Sequence, residues 1–163
     1  MLYVVGTPIG NLNDITLRAL EALKQANLIA AEDTRHSGNL LRHFEIQKPL
    51  LSYHEHNEAR RTAELVEHLA NGERIALITD AGMPGLSDPG ARLIRKCIER
   101  DLPFTIVPGI SAITMALVGS GFALAEAWRM ATSMELKLSR QALMAGGTFI
   151  ATAVLFFLIS FES

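Results

Sequence analysis

The sequence predicts an α/β fold built on a mainly parallel five-stranded sheet flanked by helices. Short apolar runs alternate with helical patterns through the first two-thirds of the chain, and glycine- and proline-rich loops follow three of these runs. Such alternation is typical of βαβ units, whose strands run parallel. Sheets of this kind place their ligand sites in the loops beyond the carboxyl ends of the strands.

Five apolar runs are the strand candidates: Leu2–Val5, Leu28–Ala31, Leu50–Tyr53, Ile75–Thr79 and Phe104–Val107. Helical spacing predicts helices over Asp14–Ala26, Ser37–Phe44, Glu58–Ala70 and Gly90–Arg100, and a fifth that begins after Ser111 and runs through Val118. Either Asp14 or Thr16 is available as the N-cap of the first helix. The first strand candidate has no basic region before it and Gly6-Thr7-Pro8 after it, so we interpret it as a strand and not as a signal peptide.

Composition limits the class of protein. The 163 residues are 49% hydrophobic and 20% charged, as in a globular protein. A formal net charge of -2 lacks the basic excess of many nucleic-acid-binding proteins, so an RNA substrate must be inferred from motifs. The single cysteine, Cys97, excludes an internal disulfide and fits a reducing cytoplasm; we expect a buried structural thiol.

The last third of the chain changes character. Residues 124–144 predict one or two helices, and Ala142–Phe161 carries no charged residue. Three interpretations stay open for this run. It is a helix or strand pair packed on the first domain, a membrane-anchoring tail, or a segment not selected for this fold, such as the product of a shifted reading frame.

The first and third loops are short connections after a strand candidate, and each contains glycine. In the first loop, Val5–Asn11, two glycines allow a sharp turn and a close approach to a ligand, although neither the dinucleotide fingerprint nor a Walker sequence is present. In the third loop, Val107–Ala112, Ser111 is a natural N-cap, and the backbone amides at a helix start are free to bind a ligand.

The second loop, Thr79–Gly90, is longer than a simple connection requires and holds three glycines and two prolines. We interpret it as a ligand wall made of backbone groups. Asp80 or Asp88 is suited to accept hydrogen bonds from a ribose or an amino group. The alternative for Asp88 is that it caps the next helix, with Pro89 at the first helical position.

Ionisable residues follow the second and third strands. In Ala31–His36, a solvated loop is one interpretation; the other places Glu32, Asp33 and Arg35 at the ligand edge, with Arg35 suited to hold a phosphate. In Tyr53–Glu58, the two histidines are not accompanied by a helical His-x-x-x-His pair or a second ligand type, and no metal site is predicted.

Five segments together resemble one family. In this order and spacing, LYVVGTPIGNLNDIT, AAEDTRHSGNLL, YHEHNE, ALITDAGMPGLSDPG and VPGISA resemble the tetrapyrrole methylase superfamily and, within it, the branch of bacterial 16S rRNA cytidine-2'-O-methyltransferases. The match runs from Met1 to about Phe122. The EDTR and DAGxPGLSDPG segments separate this branch from the corrin, siroheme and diphthamide branches.

The resemblance implies two α/β domains that bind S-adenosylmethionine in the cleft between them. The cofactor-facing positions implied for this chain are Pro8, Ile9, Asp80, Gly82, Met83, Leu86, Ser111 and Ala112. The EDTR segment would face the substrate, with Glu32 and Asp33 as candidate catalytic bases and Arg35 and His54 as substrate contacts. The implied partners are 16S rRNA in the small ribosomal subunit and a second copy in a homodimer, in the cytoplasm.

The resemblance also implies a domain boundary. Residues 1–122 form the predicted N-terminal domain, and 123–163 form a divergent apolar helical tail in place of the expected second domain. We therefore expect the chain as given to bind the cofactor weakly or not at all and to have little activity. The alternatives are a superfamily enzyme that methylates a tetrapyrrole or a modified histidine, and a non-catalytic truncated product whose tail associates or attaches to a membrane.

Overall fold

A computed structural model describes residues 1–123, 125, 126 and 129 of the chain. The chain divides into two compact units, Met1–Ser111 and Ala112–Ser163. Apart from residues 125, 126 and 129, which are helical, the predicted helices of 124–144 and the uncharged run after them lie outside the described residues. Within the described part, no helix is both long and apolar enough to cross a membrane.

Strands and helices alternate through the first unit. The strands are β1 (Leu2–Val5), β2 (Leu28–Ala31), β3 (Leu50–Ser52), β4 (Ile75–Ile78) and β5 (Phe104–Val107). The helices are α1 (Leu17–Gln25), α2 (Thr34–His43), α3 (Glu58–Ala70) and α4 (Ala91–Glu99), and a 3-10 turn covers Leu12–Asp14. In the second unit, α5 spans Ala112–Gly119. All five predicted strands are confirmed, although β3 and β4 end one residue earlier than predicted.

The five strands form one sheet in the order β3-β2-β4-β1-β5, and every neighbouring pair is parallel. The predicted parallel α/β fold is therefore confirmed. Since all the strands point the same way, their five carboxyl ends lie along one edge of the sheet.

Apolar side chains cover both faces of the sheet. On one face, α1 and α2 pack against Val5, Ile29 and Ile78. On the other face, α3 and α4 pack against Val4, Ala30 and Leu77. Residues next to each other in a strand point to opposite faces, so a strand buried on both sides reads as a continuous apolar run, as these do. Cys97 of α4 lies in the second of these clusters with no exposed surface, which confirms the predicted structural thiol.

Two helix starts differ from the prediction by three residues each. Helix α1 begins at Leu17, because the Thr16 side chain accepts a hydrogen bond from the Ala19 amide at 3.1 Å. The other candidate cap, Asp14, ends the preceding 3-10 turn instead. Helix α2 begins at Thr34, ahead of the predicted Ser37, since Asp33 caps it.

The prediction that Asp88 caps α4 is wrong. The helix begins at Ala91, and its N-cap is Gly90, which makes no side-chain cap bond. Gly90 has a φ of 140°, a backbone conformation that residues other than glycine rarely adopt. The chain therefore completes its loop at Gly90 and becomes helical only afterwards, which leaves the Asp88 carboxylate available for other contacts.

Candidate functional site

The strand order creates a crevice at the carboxyl edge of the sheet. After β1 the chain passes through α1 to β2, which lies on the β4 side of β1. After β4 the chain passes through α4 to β5, which lies on the opposite side of β1. The two helices also lie on opposite faces of the sheet. Neighbouring strands whose connections leave in opposite directions and on opposite faces of the sheet form a topological switch point, the usual ligand position in open α/β sheets.

Backbone hydrogen bonds join the first and second loops across this crevice. The Thr7 amide donates to the Gly82 carbonyl at 2.9 Å, and the Gly82 amide donates to the Thr7 carbonyl at 3.1 Å. The buried Thr7 hydroxyl donates to the Thr79 carbonyl at 3.0 Å. These hydrogen bonds join the two loops into one surface.

Glycines bring the third loop against the same surface. A Cβ added to Gly6 would lie 2.7 Å from the Gly109 backbone and 2.7 Å from the Met83 sulfur, closer than such atoms approach in proteins. A Cβ on Gly82 would lie 3.7 Å from the Ile9 side chain and 3.8 Å from the Ile110 carbonyl oxygen. The three loops thus meet through backbone atoms, and side chains at Gly6 or Gly109 would force them apart.

The predicted cofactor residues are brought together in part. Pro8, Ile9, Gly82 and Met83 lie where the first and second loops meet, and Asp80 is the second residue after β4. Leu86 lies farther along the second loop with 55% of its surface exposed. Ser111 ends the first compact unit, and Ala112 begins the second.

The carboxylate of Glu32 contacts a residue that the sequence analysis did not single out. The Thr79 hydroxyl, 2% exposed, donates to Glu32 Oε2 at 2.5 Å and so ties the end of β2 to the end of β4. The pKa of the neighbouring Asp88 carboxyl is raised by burial first, and then by the charges of Glu32 and Asp80. Asp88 was predicted as a hydrogen-bond acceptor, whereas the only signal for Thr79 in the sequence was its position at the start of the second loop.

Asp33 is held differently from Glu32. Its carboxylate caps α2 by accepting from the Arg35 amide at 2.8 Å, and it pairs with the Arg35 guanidinium at 3.1 Å. The hydrogen bonds from the Arg35 side chain and amide lower the pKa of Asp33 from 3.8 to about 2. The Asp33 amide donates to Asp80 Oδ1 at 3.1 Å, which links the EDTR segment to the second loop.

The predicted substrate contacts lie at the outer part of this edge. The Arg35 side chain is 90% exposed. His54 belongs to a tight turn after β3, where Asn57 accepts from the His54 amide at 2.9 Å and donates to the Ser52 carbonyl at 3.1 Å. His54 Nδ1 is buried and makes no hydrogen bond with the part of the chain that is described. The His54 and His56 rings lie edge to face, with centroids 5.8 Å apart.

Two other features do not add to the site. Among the described residues, no three histidine, cysteine, aspartate or glutamate side chains group closely enough to hold a metal ion. An open groove lies between the end of α2 and the start of β3, and Leu41, Ile46 and Leu50 are among its lining residues. None of the predicted site residues lines this groove, which lies toward the amino ends of the strands.

Comparison with known proteins points to one family. Residues 1–153 match the family model of the tetrapyrrole (corrin/porphyrin) methylases. The matched segment therefore extends past Phe122. The chain is 53% identical over 123 residues to ribosomal RNA small subunit methyltransferase I of Synechocystis sp., covering 76% of this chain and 44% of that protein. It is 52% identical over 123 residues to the Mycoplasmopsis pulmonis protein of the same name, covering 76% and 55%. The chain spans about half the length of the curated relatives it matches.

Solved structures share the fold. Uroporphyrin-III-C-methyltransferase from Thermus thermophilus superposes with a TM-score of 0.57 at 27% identity, covering 76% of this chain and 52% of that one. A cobalt precorrin-4 methyltransferase superposes with a TM-score of 0.58 at 19% identity, covering 76% and 51%, which shows the fold alone.

Proposed function

This chain belongs to the tetrapyrrole methylase family, and we propose that it forms the cofactor-binding N-terminal domain of a methyltransferase that modifies a cytidine ribose 2'-oxygen in 16S rRNA. The observation that carries this proposal is the meeting of three glycine-containing loops at the switch point of the sheet, within the segment that matches small-subunit rRNA methyltransferases at about half identity. Methylation by this family uses S-adenosylmethionine, whose methyl group is already activated by the sulfonium.

The described residues fit such a cofactor. Gly6, Gly82 and Gly109 leave backbone groups, not side chains, at the meeting point of the loops. Met83 supplies apolar surface beside these groups, and Asp80 supplies a carboxylate for the cofactor's hydroxyl or amino groups. Together with Pro8, Ile9, Leu86, Ser111 and Ala112, these residues are the proposed cofactor contacts.

We propose Glu32 as the base that takes the ribose hydroxyl proton. The Thr79 hydroxyl orients its carboxylate, and one oxygen of that carboxylate receives no hydrogen bond among those found in the described residues. Asp33 is the second candidate, but its pKa of about 2 and its helix-capping bonds make it a poor proton acceptor. Arg35 and His54 are proposed to contact the RNA, Arg35 through a phosphate.

The 163 residues taken alone are proposed to bind the cofactor weakly. They cover about half of the relatives' length, so any cofactor contacts that the other half of a relative supplies are missing from this peptide. We also propose cytoplasmic location and homodimer formation for the whole enzyme.

A chimera tests the proposal. Residues 1–123 of this chain would replace the matching segment of the Synechocystis relative, and methyl transfer to 30S subunits lacking ribose methylation would be measured with labelled S-adenosylmethionine. We expect the chimera to methylate the subunits and to bind the cofactor more tightly than the 163-residue chain in calorimetry.

Failure of the chimera beside an active unmodified relative would refute the proposal. Transfer to a precorrin-type substrate but not to 30S subunits would favour the tetrapyrrole alternative instead. A Gly6→Val chimera is the matched control, because it retains Glu32 and Arg35 while separating the loops that are proposed to bind the cofactor.

A further inference from the structure

Glu58 makes a long-range contact with the second loop. It is the first residue of α3, and its side chain is 19% exposed. Its Oε1 atom accepts a hydrogen bond from the Gly90 amide at 3.1 Å. This bond connects the turn after β3 to the last residue of the second loop, across the carboxyl edge of the sheet.

The second loop folds back on itself where Glu58 holds it. A Cβ on Gly90 would lie 3.2 Å from the Gly85 amide nitrogen, and a Cβ on Gly85 would lie 3.2 Å from the Ala91 nitrogen. Both glycines have positive φ angles, 79° and 140° in chain order. Gly90 is the N-cap of α4, and amides at a helix start have no carbonyl partner within the helix, so the Gly90 amide depends on a partner from another element. Glu58 is that partner.

Neighbouring side chains hold the Glu58 carboxylate in place. The buried Tyr53 hydroxyl lies 3.2 Å from Glu58 Oε1 and 2.9 Å from the Thr62 hydroxyl. Burial raises the pKa of Tyr53, as does the charge of Glu58 to a smaller extent, so the phenol keeps the proton that it donates. Arg92 approaches Oε2 at 3.8 Å. The carboxylate is therefore fixed by groups from the residue after β3 and from the start of α4.

We propose that Glu58 is a positioning residue for cofactor binding. It closes the Gly85–Gly90 part of the second loop and so sets the position of Leu86 and of the wall that continues to Met83. The inference rests on the proposed function, since it assigns to the loop a cofactor-binding role. Glu58 itself does not touch the reacting atoms in this assignment.

A purely structural role predicts a different result. If Glu58 only stabilised the start of α3, any variant with the same loss of thermal stability would have the same effect on the loop. Thr62→Val is the matched control, because it removes a buried hydroxyl of the same helix that contacts Tyr53 while leaving both the Tyr53–Glu58 and the Glu58–Gly90 bonds. Glu58→Gln keeps an oxygen that accepts from Gly90 and removes the charge.

The first measurement is amide hydrogen exchange in the 163-residue chain without cofactor. In Glu58→Ala we expect the amides of residues 85–91 to exchange about tenfold faster than in wild type, the size expected for one lost charge-assisted hydrogen bond. In Glu58→Gln and Thr62→Val we expect the same amides to stay within about twofold of wild type. Unchanged exchange in Glu58→Ala would overturn the inference whatever the cofactor does.

The second measurement is S-adenosylmethionine affinity, by calorimetry on the chimera carrying the same variants. Glu58→Ala should weaken binding about tenfold, whereas Glu58→Gln should rescue it. Equal weakening in Glu58→Ala and Thr62→Val at matched melting temperature would reduce Glu58 to a structural residue. If the wild-type chimera binds no cofactor, the proposed function fails and the positioning role fails with it, while the exchange data still decide whether Glu58 closes the loop.

Discussion

The two sides of the carboxyl edge of the sheet differ in the kind of groups that make their contacts. Where the loops after β1, β4 and β5 meet, the contacts run between backbone atoms, with Gly6 and Gly109 too close to admit a side chain. After β2, the contacts are made by ionisable side chains: Asp33 pairs with Arg35, and Glu32 accepts a hydrogen bond from Thr79. Close backbone contacts fix the shape of the first side. The second side carries ionisable groups whose protonation depends on their hydrogen-bond partners.

This difference separates two tasks. A backbone surface without side chains suits a ligand held by shape and by amide and carbonyl groups. Oriented carboxylates and an exposed guanidinium suit proton transfer and phosphate contact. Substitutions on the backbone side should therefore weaken cofactor binding and folding, whereas substitutions on the charged side should lower the rate of methyl transfer.

The largest effect is expected on the charged side. In the chimera, Glu32→Gln should lower methyl transfer by about 100- to 10,000-fold, since it removes the proposed base. Cofactor affinity should stay near wild type. Asp33→Asn is the control, because asparagine still caps a helix and the aspartate is not the proposed base. Equal loss in both variants would contradict the assignment of Glu32.

The next effect is expected on the backbone side. Gly6→Val should lower the free energy of unfolding by about 2–3 kcal/mol, because its new atoms overlap the Gly109 backbone. Urea denaturation of the 163-residue chain measures this. Gly38→Ala in α2 is the control, since its Cβ would meet only Leu50, at 3.8 Å, and alanine favours the helix. A tolerated valine at Gly6 would show that the loops are not rigidly joined.

Asp80 joins the two sides, and its replacement should give an intermediate effect. Asp80→Ala removes the acceptor for the Asp33 amide and a proposed cofactor contact. We expect cofactor affinity in the chimera to fall about tenfold, with Asp80→Asn recovering part of it. Calorimetry that finds wild-type affinity in Asp80→Ala would remove this residue from the proposed site.

The smallest effect concerns pH. The pKa of Asp33 is lowered from 3.8 to about 2 in the folded chain, so its carboxylate stabilises the fold fully above the unfolded value. This contribution should be lost as the pH falls through roughly 4 to 2. Asp33→Asn does not titrate, so the stability difference between wild type and this variant should shrink across that range. A constant difference would show that the cap bonds do not depend on the charge.

Much of the fold was predictable because it depends on local patterns. The runs Leu28–Ala31 and Ile75–Ile78 are apolar throughout, as strands buried on both faces must be, and α3 has both its predicted bounds. The family assignment also followed from short segments in register. The capping role of Asp33 was local as well, but the ionisable cluster around it concealed the N-cap pattern.

The sequence by itself determined the alternating elements, the parallel sheet and the family, because periodicity and motif order are properties of neighbouring residues. Only the tertiary structure decided that Thr79 contacts Glu32, that Asp80 contacts Asp33 and that Glu58 contacts Gly90. These pairs lie 47, 47 and 32 residues apart along the chain. They meet because of the strand order β3-β2-β4-β1-β5, which depends on how the helices cover both faces and not on any local pattern.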